Sequence, residues 1–142
     1  MYDLVIANGR LVDGTGNPWR RADVAVEGGQ IVALGKDLGA ADKVLNAEGL
    51  IVAPGFVDMH THSDFEPFMS EPATNKVLMG VTSEVNGNCS YSAAPLSHEH
   101  SEELKAHTSF IIGRAHPSWE WLTFKDYFDC LDRTAMTTNF IP

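Results

Sequence analysis

The segment GFVDMHTH, residues 55–62, ends by presenting two histidines with one residue between them. On a β-strand side chains alternate faces, so His60 and His62 point one way while Met59 and Thr61 point the other. At about 3.3 Å per residue the two imidazoles start about 6.6 Å apart, near enough to lean onto one ion. The competing reading is a pair of polar loop histidines that fall close together by chance. A third donor bears on the choice. The next strand-like run ends in NGNCS and places Cys89 at the same level. Neighbouring parallel strands lie about 4.8 Å apart, so the thiol comes within reach of an ion held by His60 and His62. Two imidazoles and a thiolate form a borderline-soft set suited to zinc, and a nearby cation favours the thiolate. We read His60, His62 and Cys89 as metal ligands. The alternative for Cys89 is a small buried apolar residue, a common fate of free cysteine.

Other polar residues invite weaker readings. Asp58 precedes the pair by two and shares its face; it is either an acceptor that orients a ligand histidine or an ordinary strand-end carboxylate. Gly55, Gly87 and the Asn88 amide are expected to shape tight backbone. His98 and His100 repeat the spacing within LSHEHSEEL, a polar run that suits solvated or capping residues. His107 and His116 stand alone and read as structural. Trp119 and Trp121 have no basic groove beside them, so packing is expected over base stacking.

The elements that must carry these residues fall into two kinds. Residues 1–54 show short apolar runs broken by turns at Asn8-Gly9, Gly28-Gly29 and Glu48-Gly49, three hairpin signals in a small β-sandwich-type domain. From residue 55 the pattern changes to strand, helix, strand, helix, strand, with strands near 56–62, 81–88 and 136–142. Ser70, Glu71 and Pro72 signal one helix start, and Gly80 its stop. Ser101 with Glu102 and Glu103 starts a second helix. Thr123 and Asp126 resemble a capping box, and Phe124, Tyr127, Phe128 and Leu131 follow at helical spacing. Such alternation predicts parallel βα units. A (β/α)8 barrel takes eight strands and about 250 residues, so residues 55–142 are expected to begin a TIM-like barrel left incomplete in this chain. An open sheet of this kind exposes edges, which predicts self-association or a missing C-terminal half as partner.

Composition narrows the function classes. The chain has 142 residues, 44% of them hydrophobic and 20% charged, which is globular rather than disordered. With 19 acidic against 10 basic residues the formal charge is −9, and no basic run offers phosphates a foothold. Nucleic acid and anionic membrane are therefore not expected partners. Two cysteines are too few for a secreted disulfide scaffold, MYDLVIANGR lacks signal-peptide features, and no apolar run nears the roughly 20 residues of a bilayer span. A cytoplasmic protein is expected.

At APGFVDMHTHSD, GVTSEVNGNCSYSAAP and WEWLTFKDYFDCLD the chain resembles the amidohydrolase superfamily and, within it, the N-acyl-D-amino-acid deacylases, over essentially its whole length. The resemblance implies that His60 and His62 are first-strand metal ligands and that Cys89 is the zinc-ligating thiolate. It implies one or two zinc ions, a small-molecule N-acyl-amino-acid substrate, and hydrolysis to a carboxylate and a D-amino acid. It also places two further histidines and a proton-shuttle aspartate beyond Pro142, so this chain is expected to be a partial, inactive piece. Ser90 stands where relatives commonly have glycine, and Ser63 where an acidic residue is frequent. Two alternatives remain at this stage. One is a dihydroorotase- or hydantoinase-like cyclic amidohydrolase, against which the cysteine argues; the other is a non-catalytic interaction domain.

Overall fold

The computed structural model describes residues 1–69, 74–112 and 119–142. The chain divides into two compact units, Met1–Pro54 and Gly55–Pro142. The first is all-β. Its strands are β1 (Tyr2–Ala7), β2 (Arg10–Leu11), β3 (Arg20–Arg21), β4 (Asp23–Glu27), β5 (Gln30–Gly35), β6 (Ala41–Asn46) and β7 (Ile51–Val52). They form two sheets, ordered β5-β4-β1-β6 and β3-β2-β7. Of the three expected hairpins only the Gly28-Gly29 turn is one: it closes β4 onto β5 with Glu27 opposite Gln30, both glycines at positive φ.

The other two turns are corners. β1 runs into β2, and β6 into β7, by passing from one sheet to the other. At the first corner Asn8 adopts φ +66°, its N–H donates to Asp23 Oδ1 at 2.8 Å, and its amide donates to Asn46 Oδ1 at 2.9 Å. Gly9 lies so close to Val52 that a Cβ would collide with it. An Asn-Gly pair supplies positive φ and close approach equally well for a corner or a hairpin. Tertiary pairing chooses between them: β1 finds β4 on one side, antiparallel, and β6 on the other, parallel. Leu11, Ala22 and Val24 then form a buried cluster with Ile6 and Val52 against it.

The second unit alternates strands and helices: β8 (Phe56–Asp58), α1 (Thr74–Leu78), β9 (Val81–Val85), α2 (Ser101–Ile112), α3 (Phe124–Leu131) and β10 (Asn139–Ile141). The three strands form one parallel sheet ordered β10-β9-β8. All are shorter than the spans 56–62, 81–88 and 136–142. β8 stops because Asp58 Oδ1 accepts the N–H of His60 at 3.2 Å, a local turn that replaces the ladder. β9 stops at Val85, before Gly87 turns the backbone at φ +72°. The expected helix start at Ser70–Pro72 lies outside the described residues, as does His116. The stop at Gly80 is present, at φ +84°. Among the described residues no helix is long and apolar enough to cross a membrane.

Packing in this unit is aromatic. Phe65, Ala93, Ala94, Trp121, Tyr127 and Leu131 form the buried cluster. Trp121 donates Nε1–H to the Ala93 carbonyl at 2.7 Å, and the Tyr127 hydroxyl donates to the Asp64 carbonyl at 2.7 Å. One core therefore ties down the chain just after His62 and the chain just after Cys89. Buried Tyr and Trp tips need partners, and these two find backbone. Of the four apolar positions expected on α3, Tyr127 and Leu131 are buried, whereas Phe124 and Phe128 stay exposed and stack on each other at 6.1 Å.

Helix α3 starts on the expected capping box. Thr123 Oγ1 accepts the N–H of Asp126 at 3.1 Å, and Asp126 Oδ2 accepts the N–H of Thr123 at 2.9 Å. The Thr123 N–H and then its hydroxyl hold the Asp126 carboxyl below the ordinary carboxylate range. A carboxyl depressed in the folded state stabilises above its unfolded value and loses that contribution as pH falls through the folded value. Thr123→Ala is expected to lower unfolding free energy by about 1 kcal/mol near neutrality. The difference from wild type should shrink in acid, as followed by urea unfolding at both conditions.

Candidate metal centre

The strand ladder brings the three sequence-predicted donors together. Asp58 pairs with Glu84 at the last rung of β8 and β9, and the donors sit on the loops that follow. His60, His62 and Cys89 each offer one ligand atom, and these atoms all lie within 4.8 Å of one another. His60 Nε2 and Cys89 Sγ are 3.1 Å apart. Around a zinc ion, bonds of about 2.0–2.1 Å to nitrogen and 2.3 Å to sulfur at a tetrahedral angle separate the two atoms by roughly 3.5 Å. The spacing of this pair thus suits a shared cation. The imidazoles meet edge to face with ring centroids 5.4 Å apart, closer than strand geometry alone predicts, because both lie in the loop beyond Asp58. Buried His62 Nδ1 has no hydrogen-bond partner among the described residues. His60 and Cys89 are exposed, so the cluster opens to solvent.

The Cys89 backbone is strained into this position. Cys89 and Ser90 adopt φ +55° and +65°, two consecutive non-glycine residues in the left-handed region. Each such residue costs about 1–2 kcal/mol relative to a right-handed conformation. The turn nonetheless aims the thiol back at His60.

Among the described residues Asp58 makes no hydrogen bond to an imidazole. Its Oδ1 accepts the backbone N–H of His60, and its Oδ2 accepts from Lys76 Nζ at 2.5 Å. The Lys76 ammonium, ahead of the His60 N–H, holds the Asp58 carboxyl below its ordinary value. Burial opposes the charge on Lys76, but Asp58 and Glu84 outweigh it and raise the ammonium. Lys76 also donates to Thr61 Oγ1 at 3.0 Å and lies 3.8 Å from Glu84 Oε2. Glu84 is 2% exposed; it accepts from Ser63 Oγ at 2.7 Å and Thr138 Oγ1 at 2.8 Å. Thr61 and Ser63 alternate with the histidines, so this network grips the opposite side of the donor segment. Sequence reasoning missed it. The available signal was a lysine and a glutamate at positions where helix and strand face each other.

The remaining histidines divide. His100 is exposed and pairs with Glu103 Oε2 at 3.2 Å, as a solvated residue would. His107 is exposed and stacks on Tyr91 at 5.0 Å, and Tyr91 in turn meets His62 edge-on at 5.7 Å. That aromatic link was not foreseen.

The sequence profile described as the Amidohydrolase family matches residues 43–141, and the chain belongs to that family. Among curated relatives, the D-aminoacylase of Alcaligenes xylosoxydans xylosoxydans is 39% identical over 140 residues, which is 97% of this chain and 28% of that protein. Among solved structures, a D-aminoacylase variant in complex with copper chloride superposes with a TM-score of 0.83 at 33% identity, over 99% of this chain and 29% of that one. The N-acyl-D-glutamate deacylase of Bordetella bronchiseptica, complexed with zinc and a phosphonate mimic of the tetrahedral intermediate, gives 0.80 at 35% identity, over 98% and 28%. The chain thus spans less than a third of the length of the relatives it matches.

Ser90→Gly is expected to stabilise the protein by about 1 kcal/mol, since glycine adopts φ +65° without a Cβ penalty. Chemical unfolding of the two proteins side by side measures it, and destabilisation would contradict the strain.

Proposed function

We propose that this chain carries the first metal-binding part of a zinc-dependent amidohydrolase that cleaves the amide bond of N-acyl-D-amino acids, giving a carboxylate and a D-amino acid. The observation that carries the reading is the convergence of two imidazoles and one thiol from adjacent strand ends, in a chain similar throughout to D-aminoacylases. His60, His62 and Cys89 would hold a zinc ion, which when bound would supply Lewis-acid chemistry for amide hydrolysis. The residues of the chain have simpler tasks. His60 and His62 offer neutral nitrogen lone pairs, and Cys89 offers a thiolate whose charge a divalent cation offsets. Asp58 fixes the backbone of His60, and Lys76 neutralises Asp58. The open side of the cluster leaves room for water and a small acyl substrate.

The fold reading accompanies the functional one. The three parallel strands β8, β9 and β10 are the opening strands of a TIM-like barrel, with the two-sheet unit as its N-terminal domain. The proton-shuttle aspartate and further ligands belong to sequence beyond these 142 residues. Support comes from the relatives' length, more than three times that of the matched region. With residues 1–142 alone, hydrolysis of an N-acetyl-D-amino acid is expected to be negligible. Turnover at ordinary enzyme rates would overturn that division of labour.

Metal binding tests the site directly. Zinc stoichiometry, measured after equilibrium dialysis, is expected to fall on replacing Cys89 by Ser and to fall further with His60→Ala. Loss of a thiolate donor should weaken affinity at least about 10-fold. Unchanged zinc content and affinity in Cys89→Ser would remove the thiolate from the site.

A further inference from the structure

The three donors lie on two loops beyond the last ladder pair, where one backbone bond, from the Thr61 N–H to the Val85 carbonyl at 3.2 Å, carries the pairing a step further. The last ladder pair is Asp58 with Glu84, yet the donors come two, four and five residues later. Besides that backbone bond, side-chain bonds run between the loops in both directions and hold the cysteine loop against the histidine loop. From the cysteine loop, Asn86 Oδ1 accepts the N–H of Ser63 at 2.9 Å. From the same loop, Asn88 Nδ2 donates to the carbonyl of Thr61 at 3.2 Å and to that of Val85 at 2.9 Å. From the histidine loop, Asp64 Oδ1 accepts the N–H of Gly87 at 2.9 Å.

These bonds fall next to the donors. Thr61 lies between the two histidines, and Asn88 immediately precedes Cys89. Asp64 and Asn86 are 4% and 6% exposed, so their bonds are shielded from competing water. Among the described residues Asn86 Nδ2 has no partner, so what this buried side chain contributes is its acceptor. The left-handed turn at Cys89 and Ser90 is the conformation that relaxes if the loop is freed. Strained backbone persists only where its surroundings over-determine it, and here the surroundings are these side chains.

We propose that Asp64 and Asn88, assisted by Asn86, are positioning residues that clamp the cysteine loop to the histidine loop and so set the Cys89–His60 spacing for metal binding. None of them is one of the three donor residues; their bonds between the loops go to backbone N–H and carbonyl groups. The inference rests on the metal-site reading given above. It predicts that the clamp acts by hydrogen bonding and not by the charge of Asp64, because the neutral amide of Asn offers Gly87 the same acceptor.

The test is a titration of the metal-free protein with cobalt(II), read by the thiolate-to-cobalt charge-transfer absorption and by the dissociation constant. Asp64→Ala and Asn88→Ala are expected to bind cobalt at least about 10-fold more weakly and with a diminished thiolate band. Asp64→Asn is expected to retain both the affinity and the band. Circular dichroism separates loss of the site from loss of the fold, and should one alanine variant unfold, the other decides. Wild-type affinity and band in the folded alanine variants would overturn the clamp, as would Asp64→Asn behaving like Asp64→Ala. Cys89→Ser in the same titration separates the two claims. If it loses the band while the alanine variants keep it, the site stands and the clamp falls. If Cys89→Ser matches wild type, the site reading falls and takes the clamp with it.

Discussion

The parallel ladder between β8 and β9 is the constraint on which the rest depends. Three rungs, ending at Asp58 opposite Glu84, bring two distant chain segments to one level, and His60 and Cys89, 29 residues apart in sequence, follow just beyond. The ladder brings the two loops side by side, and bonds between them complete the approach of imidazole and thiol to 3.1 Å. Parallel pairing requires a crossover, so α1 is a geometric necessity before it is anything else. The helix then acquires a second task, because Lys76 reaches from it beneath the donor segment.

Two faces of one short segment are thus held by different physics. The side bearing Thr61 and Ser63 is gripped by a buried network of hydroxyls, one lysine and two carboxylates. Burying Glu84 without partners would be costly; two hydroxyl donors and a nearby ammonium make it tolerable. The side bearing His60 and His62 faces the other way and is left open for chemistry. Downstream, the aromatic core takes over, with Tyr127 and Trp121 fastening the two loops through their backbone carbonyls. Burial pushes the Tyr127 hydroxyl well above its ordinary value, so it remains a donor to Asp64 at any physiological pH.

Much of this was legible in the residues, and the failures have physical reasons. The alternation of strand and helix beyond residue 55, the box at Thr123 and Asp126, and the packing role of Trp121 follow from local rules. The proximity of His60, His62 and Cys89 was expected from strand spacing; the strands proved shorter, and the loops that turn away from Asp58 and Glu84 still bring the three side chains together. Asn8-Gly9 misled as a hairpin signal because its chemistry permits a corner as readily, and only the pairing of β1 with β4 and β6 decides. Phe124 and Phe128 fit the periodicity of a buried face but stack in solvent, since period alone does not say how wide a face is covered. The Lys76–Glu84 approach was invisible because it depends on where a short helix crosses a strand, which no local pattern encodes.

The trio of Asp58, Lys76 and Glu84 has a consequence for how this sequence can drift. Losing Lys76 alone takes the nearby ammonium from Glu84, which is 2% exposed, whereas Asp58 keeps 28% of its side chain open to water. Substitution at Lys76 is therefore coupled more tightly to Glu84 than to Asp58, so the buried carboxylate is the one whose tolerance to change depends on the lysine.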